Sequence, residues 1–170
     1  RKAAVSYSLL QSFLIFQTIL LSSVDMYALI YYNYTIDGYM GTGGYDRHME
    51  KVTFYGEIEG ISLEQMVRYG KFDMRVKHFH NQYEIFYIIE GERLFFFNNR
   101  EYVARSGDLI LVDTNLIHMT KSVTAEDTGH NRVILYVSYD RMKAFDGQYP
   151  SLQLVRFFHE HYGVYLLDKE

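Results

Sequence analysis

The chain of 170 residues is 48% hydrophobic and 22% charged, the size and apolar content of one globular domain with room for an appendage. Its formal charge of -4 supplies no field that attracts phosphate backbones, so composition makes no case for nucleic-acid binding by this chain itself. Cysteine is absent. That excludes disulfides, thiolate metal sites and cysteine nucleophiles, and it suits the reducing cytoplasm, the expected compartment.

Residues 1 to 48 differ from the rest. They hold six Asp, Glu, Lys or Arg residues, namely Arg1, Lys2, Asp25, Asp37, Asp46 and Arg47. Inside them Leu9 to Val24, LLQSFLIFQTILLSSV, follows a basic start and ends in small residues, the outline of a secretory signal. The run is shorter than the roughly 20 apolar residues of a bilayer span, contains Gln11 and Gln17, and is followed by Asp25. An amphipathic helix packed on the domain or on a dimer partner is the preferred reading, with no membrane span. The stretch Tyr45 to Lys51, YDRHMEK, has the look of a junction. Residues 1–48 are therefore either an apolar helical extension or a segment not native to the domain.

From Met49 the punctuation is that of an all-β meander. Runs rich in Val, Ile, Phe and Tyr recur at Val52–Tyr55, Asp73–His80, Tyr83–Glu90, Arg93–Phe97, Glu101–Ala104, Asp108–Val112 and Arg132–Tyr139. Asn98-Asn99, Ser106-Gly107-Asp108 and Asp113-Thr114-Asn115 supply turns. Seventeen Tyr and twelve Phe, with no Trp, suit strands and pocket walls. Strands at this spacing predict a sandwich or barrel over residues 49–145. Ile85 to Ile89 is apolar on both faces, so one face fills the interior and a helix or second subunit covers the other. Residues 146–170 form a C-terminal helical segment. Asp140 is a candidate cap for a helix over Ser138–Phe145, and Leu152, Val155, Phe158 and Tyr162 recur at helical spacing between Pro150 and Gly163.

The chemistry-bearing stretch is HFHNQYEIFYIIEG, His78 to Gly91. On an extended strand His78 and His80 share a face, and Glu84 joins them by parity or across a bend at Asn81-Gln82. His118 comes from a distant strand, returned by the turn at Asp113 to Asn115. Three imidazoles and a carboxylate make a mixed N/O donor set suited to Fe, Mn, Ni or Zn, with open positions for substrate or water. The competing reading is a hydrogen-bonded polar cluster lining a pocket with no metal. Either way His78, His80, Glu84 and His118 are the ligand-binding candidates, with Phe86 and Tyr136 as aromatic walls.

The spacing H-x-H-x3-E-x6-G is met by His78, His80, Glu84 and Gly91, and G-x5-P-x-G-x2-H by Gly107 and His118. The region thus resembles the two cupin motifs, with Asp113, Asn115 and Ser122 standing where Pro, Gly and Asn are usual. Within cupins it most resembles the N-terminal effector-binding and dimerisation domain of AraC-type transcription regulators, over roughly residues 70 to 145. The resemblance implies an all-β cupin fold, a double-stranded β-helix or jelly-roll barrel with flanking helices. It also implies a small-molecule effector such as a sugar, a homodimer, and DNA contact only through a C-terminal helix-turn-helix domain that this chain does not include. A metal-dependent cupin enzyme, a dioxygenase or sugar isomerase using the same four residues, is the alternative. His159 and His161 are expected at the surface, His130 and His48 lack partners in view, and Glu90, Glu92 and Arg93 read as hairpin-turn residues around Gly91. Lys121 reads as a solvated charge, and Gly41 to Gly44 lacks the context of a phosphate loop.

Overall fold

The structure, a computed structural model, describes residues 3–4 and 49–166. The helix expected over Leu9 to Val24, together with His48 and Gly41 to Gly44, lies outside the described residues. The elements in chain order are β1 (Ala3–Ala4), β2 (Met49–Ile58), β3 (Ile61–Tyr69), β4 (Gln82–Phe97), β5 (Arg100–Arg105), β6 (Asp108–Val112), β7 (His118–Lys121) and β8 (Gly129–Ser138). Then come α1 (Tyr139–Gln148), a 3-10 turn (Pro150–Leu152), α2 (Leu154–Glu160) and β9 (Gly163–Leu166). No helix of the described residues is long and apolar enough to cross a membrane.

Turn chemistry sets the hairpins. Glu59 (φ 38) and Gly60 (φ 81) join β2 to β3 with Ile58 opposite Ile61, the left-handed pair that a two-residue hairpin requires. Asn98 (φ 54) reverses the chain between Phe97 and Arg100, and Gly107 (φ 89) does so before β6. The turns at Asn98 and Gly107 fall where the sequence placed them; the one at Glu59-Gly60 was not among those expected.

The 16-residue β4 organises the rest. Its first half, Glu84 to Tyr87, pairs antiparallel with β6 on one side and β8 on the other. Its second half, Leu94 to Phe97, pairs with β5 and β7. One strand therefore belongs to two sheets: a large one ordered β1-β9-β6-β4-β8-β3-β2, and a small one in which β5 and β7 flank β4. The crossing is made by a bulge between Ile88 and Glu90 and by Gly91 at φ 86, which bend the strand without reversing it. The hairpin expected around Gly91 is thus a kink. Glu90 and Glu92 are strand residues, and Arg93 is 1% exposed instead of lying in a surface turn.

Two apolar cores follow. Phe86, Ile88, Phe95, Phe97, Ile110, Val112 and Ile134 fill the interior between the sheets. On the outer face of the large sheet, Tyr83, Ile85, Leu111 and Val137 pack beneath Met142, Phe145, Leu154 and Phe158 of the helices. Helices of this chain cover that part of the second apolar face. Helix α1 is capped by Ser138, whose hydroxyl accepts from Arg141 N at 3.3 Å, and Asp140 sits in its first turn; Ser138, not Asp140, is the cap. The single helix expected between Pro150 and Gly163 is broken at Gln153 (φ 47) into a 3-10 turn and α2. Asp146 of α1 supplies the missing cap, its carboxylate accepting from Leu154 N and Val155 N. Strand β3, with polar Ser62, Glu64, Gln65 and Arg68 through its length, was not among the predicted strands.

Candidate functional site

The Asp73–His80 segment is not a regular strand. It touches β7 through Met74 N to Thr120 O (3.0 Å) and through a reciprocal pair between His78 and His118, N to O at 2.9 Å each way. That bridge sets the two histidines side by side, their ring centroids 4.2 Å apart. His80 then turns in across the bend at Asn81, with Asn115 N donating to its carbonyl at 2.8 Å. Its ring centroid is 5.0 Å from that of His118 and 5.9 Å from that of His78. Glu84 enters from β4, and its cross-strand partner on β8 is Tyr136, whose ring meets that of His80 edge-on at 5.8 Å.

The four metal-candidate residues therefore stand together. One nitrogen from each of His78, His80 and His118 lies within 4.8 Å of the others. Glu84 Oε2 is 3.1 Å from His80 Nε2 and 3.8 Å from His118 Nε2. Phe86, two residues along β4, is buried against Phe95 at 5.1 Å. His159 is exposed, as expected, and reaches Asp113 Oδ2 at 3.1 Å.

Backbone carbonyls decide the tautomers. His80 Nδ1 lies 2.8 Å from Gln82 O and His118 Nδ1 2.7 Å from Leu116 O. A carbonyl only accepts, so both Nδ1 atoms carry hydrogen, and in the neutral ring the lone pair sits on Nε2, facing the shared centre. In the absence of a cation, His80 Nε2 needs a proton to bond Glu84. Accordingly that hydrogen bond raises the His80 pKa above its ordinary value against an opposing desolvation. Burial lowers His118 and His78, keeping them neutral, and burial raises the Tyr136 phenol, keeping it protonated. His78 Nδ1 is buried without a hydrogen-bond partner. An orphaned imidazole nitrogen, two Nε2 lone pairs facing the centre and a buried carboxylate fit a divalent cation, since metal-bound histidines typically donate their second nitrogen to an outer carbonyl.

The residues missed from sequence lie deeper in the same interior. Alternate residues of β8 share a face, so His130, Arg132, Ile134 and Tyr136 line one side. The first three are buried and Tyr136 is half-buried. That parity was readable in the sequence; its partners on β3 and β4 were not.

Residues 67–144 match the family model for the AraC-like ligand binding domain. No curated protein matches the chain. Among solved structures, the chain is similar to an RmlC-like cupin from Shewanella frigidimarina at 16% identity and TM-score 0.44, over 52% of this chain and 74% of that one. It is similar to an RmlC-like cupin family protein with a double-stranded β-helix fold from Methanocaldococcus jannaschii at 16% identity and TM-score 0.47, over 64% and 99%. A protein from Neisseria meningitidis is similar at 18% identity and TM-score 0.40, over 49% and 80%. Residues 67–144, which hold the strand shared by the two antiparallel sheets and the interior histidines, are thus the part of the chain that matches an AraC-like ligand binding domain.

Proposed function

We propose that the domain senses a small polar effector, such as a sugar, which binds at His78, His80, Glu84 and His118 with Tyr136 as its wall and Phe86 as its floor. The observation that carries this reading is the convergence of three imidazoles and one carboxylate from three separate segments on one point. Structural polarity does not require such a focus, whereas recognition of hydroxyl groups does. A divalent metal (Zn, Fe, Mn or Ni) would be held by the same four residues, and when bound would supply a Lewis-acidic contact for an effector oxygen. The site is joined to the C-terminal helices through the loop after β6, since Asp113 meets His159 of α2 and Asn115 N holds His80 O. An effector that favours one arrangement of this loop thereby biases the position of α2. In this reading the domain works as a cytoplasmic homodimer and acts on DNA through a helix-turn-helix unit outside the chain. A metal-dependent enzyme is the second reading, favoured by the three-histidine, one-glutamate donor set.

The test is a thermal-shift screen of sugars and organic acids, with and without chelator, on the protein and its His118→Ala variant. A saturating effector at 100 times its Kd adds about 2.7 kcal/mol to stability. The shift should vanish in His118→Ala. A set of compounds that shifts both proteins equally, or none that shifts either, defeats the sensor reading. Turnover of a bound compound would favour the enzyme.

A further inference from the structure

We propose that the interior holds a second ligand site, for a small oxyanion of the phosphate or carboxylate type, formed by Arg68, Arg93, Arg132 and His130. Four cationic or hydrogen-bonding side chains are brought together there by register. Arg68 faces His130 across β3 and β8, Met66 faces Arg132, and His130 faces Gly91 of β4, two residues before Arg93. Arg93 is 1% exposed, His130 4% and Arg132 7%. The Phe72 ring lies under the Arg68 guanidinium at 3.6 Å and the Arg93 guanidinium at 5.6 Å, which positions both without neutralising either. The backbone is pinned as well. A Cβ on Gly129 would lie 1.9 Å from Arg68 O, and one on Gly91 would lie 2.6 Å from Gly129 O.

Each of the three guanidiniums has a carboxylate within ion-pair reach: Arg132 has Glu64 at 3.0 Å, Arg68 has Glu50 at 2.8 Å and Arg93 has Asp127 at 3.7 Å. Arg93 is served differently. It donates to the hydroxyls of Thr120 (3.1 Å) and Ser122 (3.3 Å), while Asp127 Oδ2 stands 3.7 Å away and makes no hydrogen bond. His130 Nδ1 is buried and also without a hydrogen-bond partner. A network built only for stability would satisfy these groups, because a buried polar atom left unbonded is costly. An oxyanion placed there supplies the acceptor that His130 Nδ1 lacks, while Asp127, itself an acceptor, stays with Arg93. The oxyanion accepts from Arg93 and Arg68 in the planar fork geometry of guanidiniums, and from His130 Nδ1–H in the neutral tautomer. Burial and the three nearby guanidiniums hold His130 neutral, with its pKa pushed down to about 3. The imidazole therefore serves as a neutral donor beside the cations.

This site is separate from the histidine and glutamate centre. Along β8 the buried Ile134 intervenes between Arg132 and Tyr136, and along β4 Phe86 and Ile88 follow Glu84. It uses none of His78, His80, Glu84 and His118. A neutral sugar offers hydroxyl acceptors but no charge for the guanidiniums to select, whereas an oxyanion offers both.

The experiment is a titration of the full chain with inorganic phosphate, and in a second arm malonate, at constant ionic strength set by chloride. It follows the His130 imidazole nitrogen resonances and the melting temperature. A saturable movement of the His130 signals with a rise in melting temperature is expected. It should persist in His118→Ala and weaken by about tenfold or more in Arg68→Gln. Response to malonate alone assigns the site to carboxylates and response to phosphate alone to phosphates; both support it. Unmoved His130 signals in both arms overturn the proposal in the wild-type protein, without reliance on any variant. So does an Arg68→Gln protein that binds as tightly as wild type.

Discussion

Gly91→Ala tests the claim that β4 passes between the sheets on a glycine kink. The new residue must adopt φ 86, which costs an L side chain about 1–2 kcal/mol. Its Cβ would also stand 2.6 Å from Gly129 O and 3.1 Å from His130 Cα. Both are backbone atoms that no rotamer change can clear, and forcing such a shift in a packed interior costs about 1–3 kcal/mol. The sum is about 2–5 kcal/mol, or roughly 4–20 °C of melting temperature at 2–4 °C per kcal/mol for a chain of this size. Urea unfolding followed by tyrosine fluorescence, with no Trp to mask it, reads the loss. Gly147→Ala is the control. Gly147 lies exposed in α1 with nothing within 4 Å of its added Cβ, so this change should be neutral or stabilising by about 0.5–1 kcal/mol. A Gly91→Ala protein within about 0.5 kcal/mol of wild type would show that β4 does not need the kink.

Phe158→Ala should cost about 3–5 kcal/mol in urea unfolding, because the ring is 2% exposed and packs edge-on against Tyr83 at 4.9 Å; a loss under about 1 kcal/mol would mean the helices do not cover the sheet. In Glu84→Gln the His80 pKa should fall back toward 6.5, since the hydrogen bond from Nε2 to the carboxylate raises it, and an NMR titration that finds it unchanged removes Glu84 from the centre. Because that folded-state pKa is raised, the contribution of His80 to stability is whole below pH 6.5 and fades as pH climbs past the raised value. His130 runs the other way: its depressed value near 3 means stability declines as pH falls from 6.5 toward 3, by up to about 1.4 kcal/mol per pH unit. Replacing it in His130→Asn should flatten that acid limb in pH-resolved unfolding, and an unaltered limb would show that the imidazole is not held neutral.

The all-β architecture was legible because its strands are dense in β-branched and aromatic residues and its turns carry Asn, Asp and Gly where positive φ is needed. Strand β3 escaped because Gln65 and Met66 fall out of phase with the alternation of Ile61, Leu63 and Val67 against Ser62, Glu64 and Arg68, and because its polar residues face the interior, the reverse of the usual half-buried strand. Gly91 was misread because a kink and a reversal leave the same glycine signature, and only pairing partners tell them apart. His78, His80, Glu84 and His118 were readable from spacing alone, since three lie within seven residues and the fourth follows one short turn. Arg93 and His130 were not, because each is surrounded by groups far away in the chain, such as Thr120 and Ser122 for the one and Arg68 for the other. Charge type alone assigns an arginine to the surface, and only tertiary geometry overrules it.

The carboxylate of Asp146 that begins α2 has a consequence for how the outer layer comes away. A seven-residue helix has too few turns to persist by itself in water, and its first amides are served from the helix before it. Fraying of α1 past Phe145 therefore strips α2 of its start, and the two are released in one step. Native-state amide exchange should show both helices opening at one common free energy, with Tyr83 and Ile85 becoming solvated in the same event.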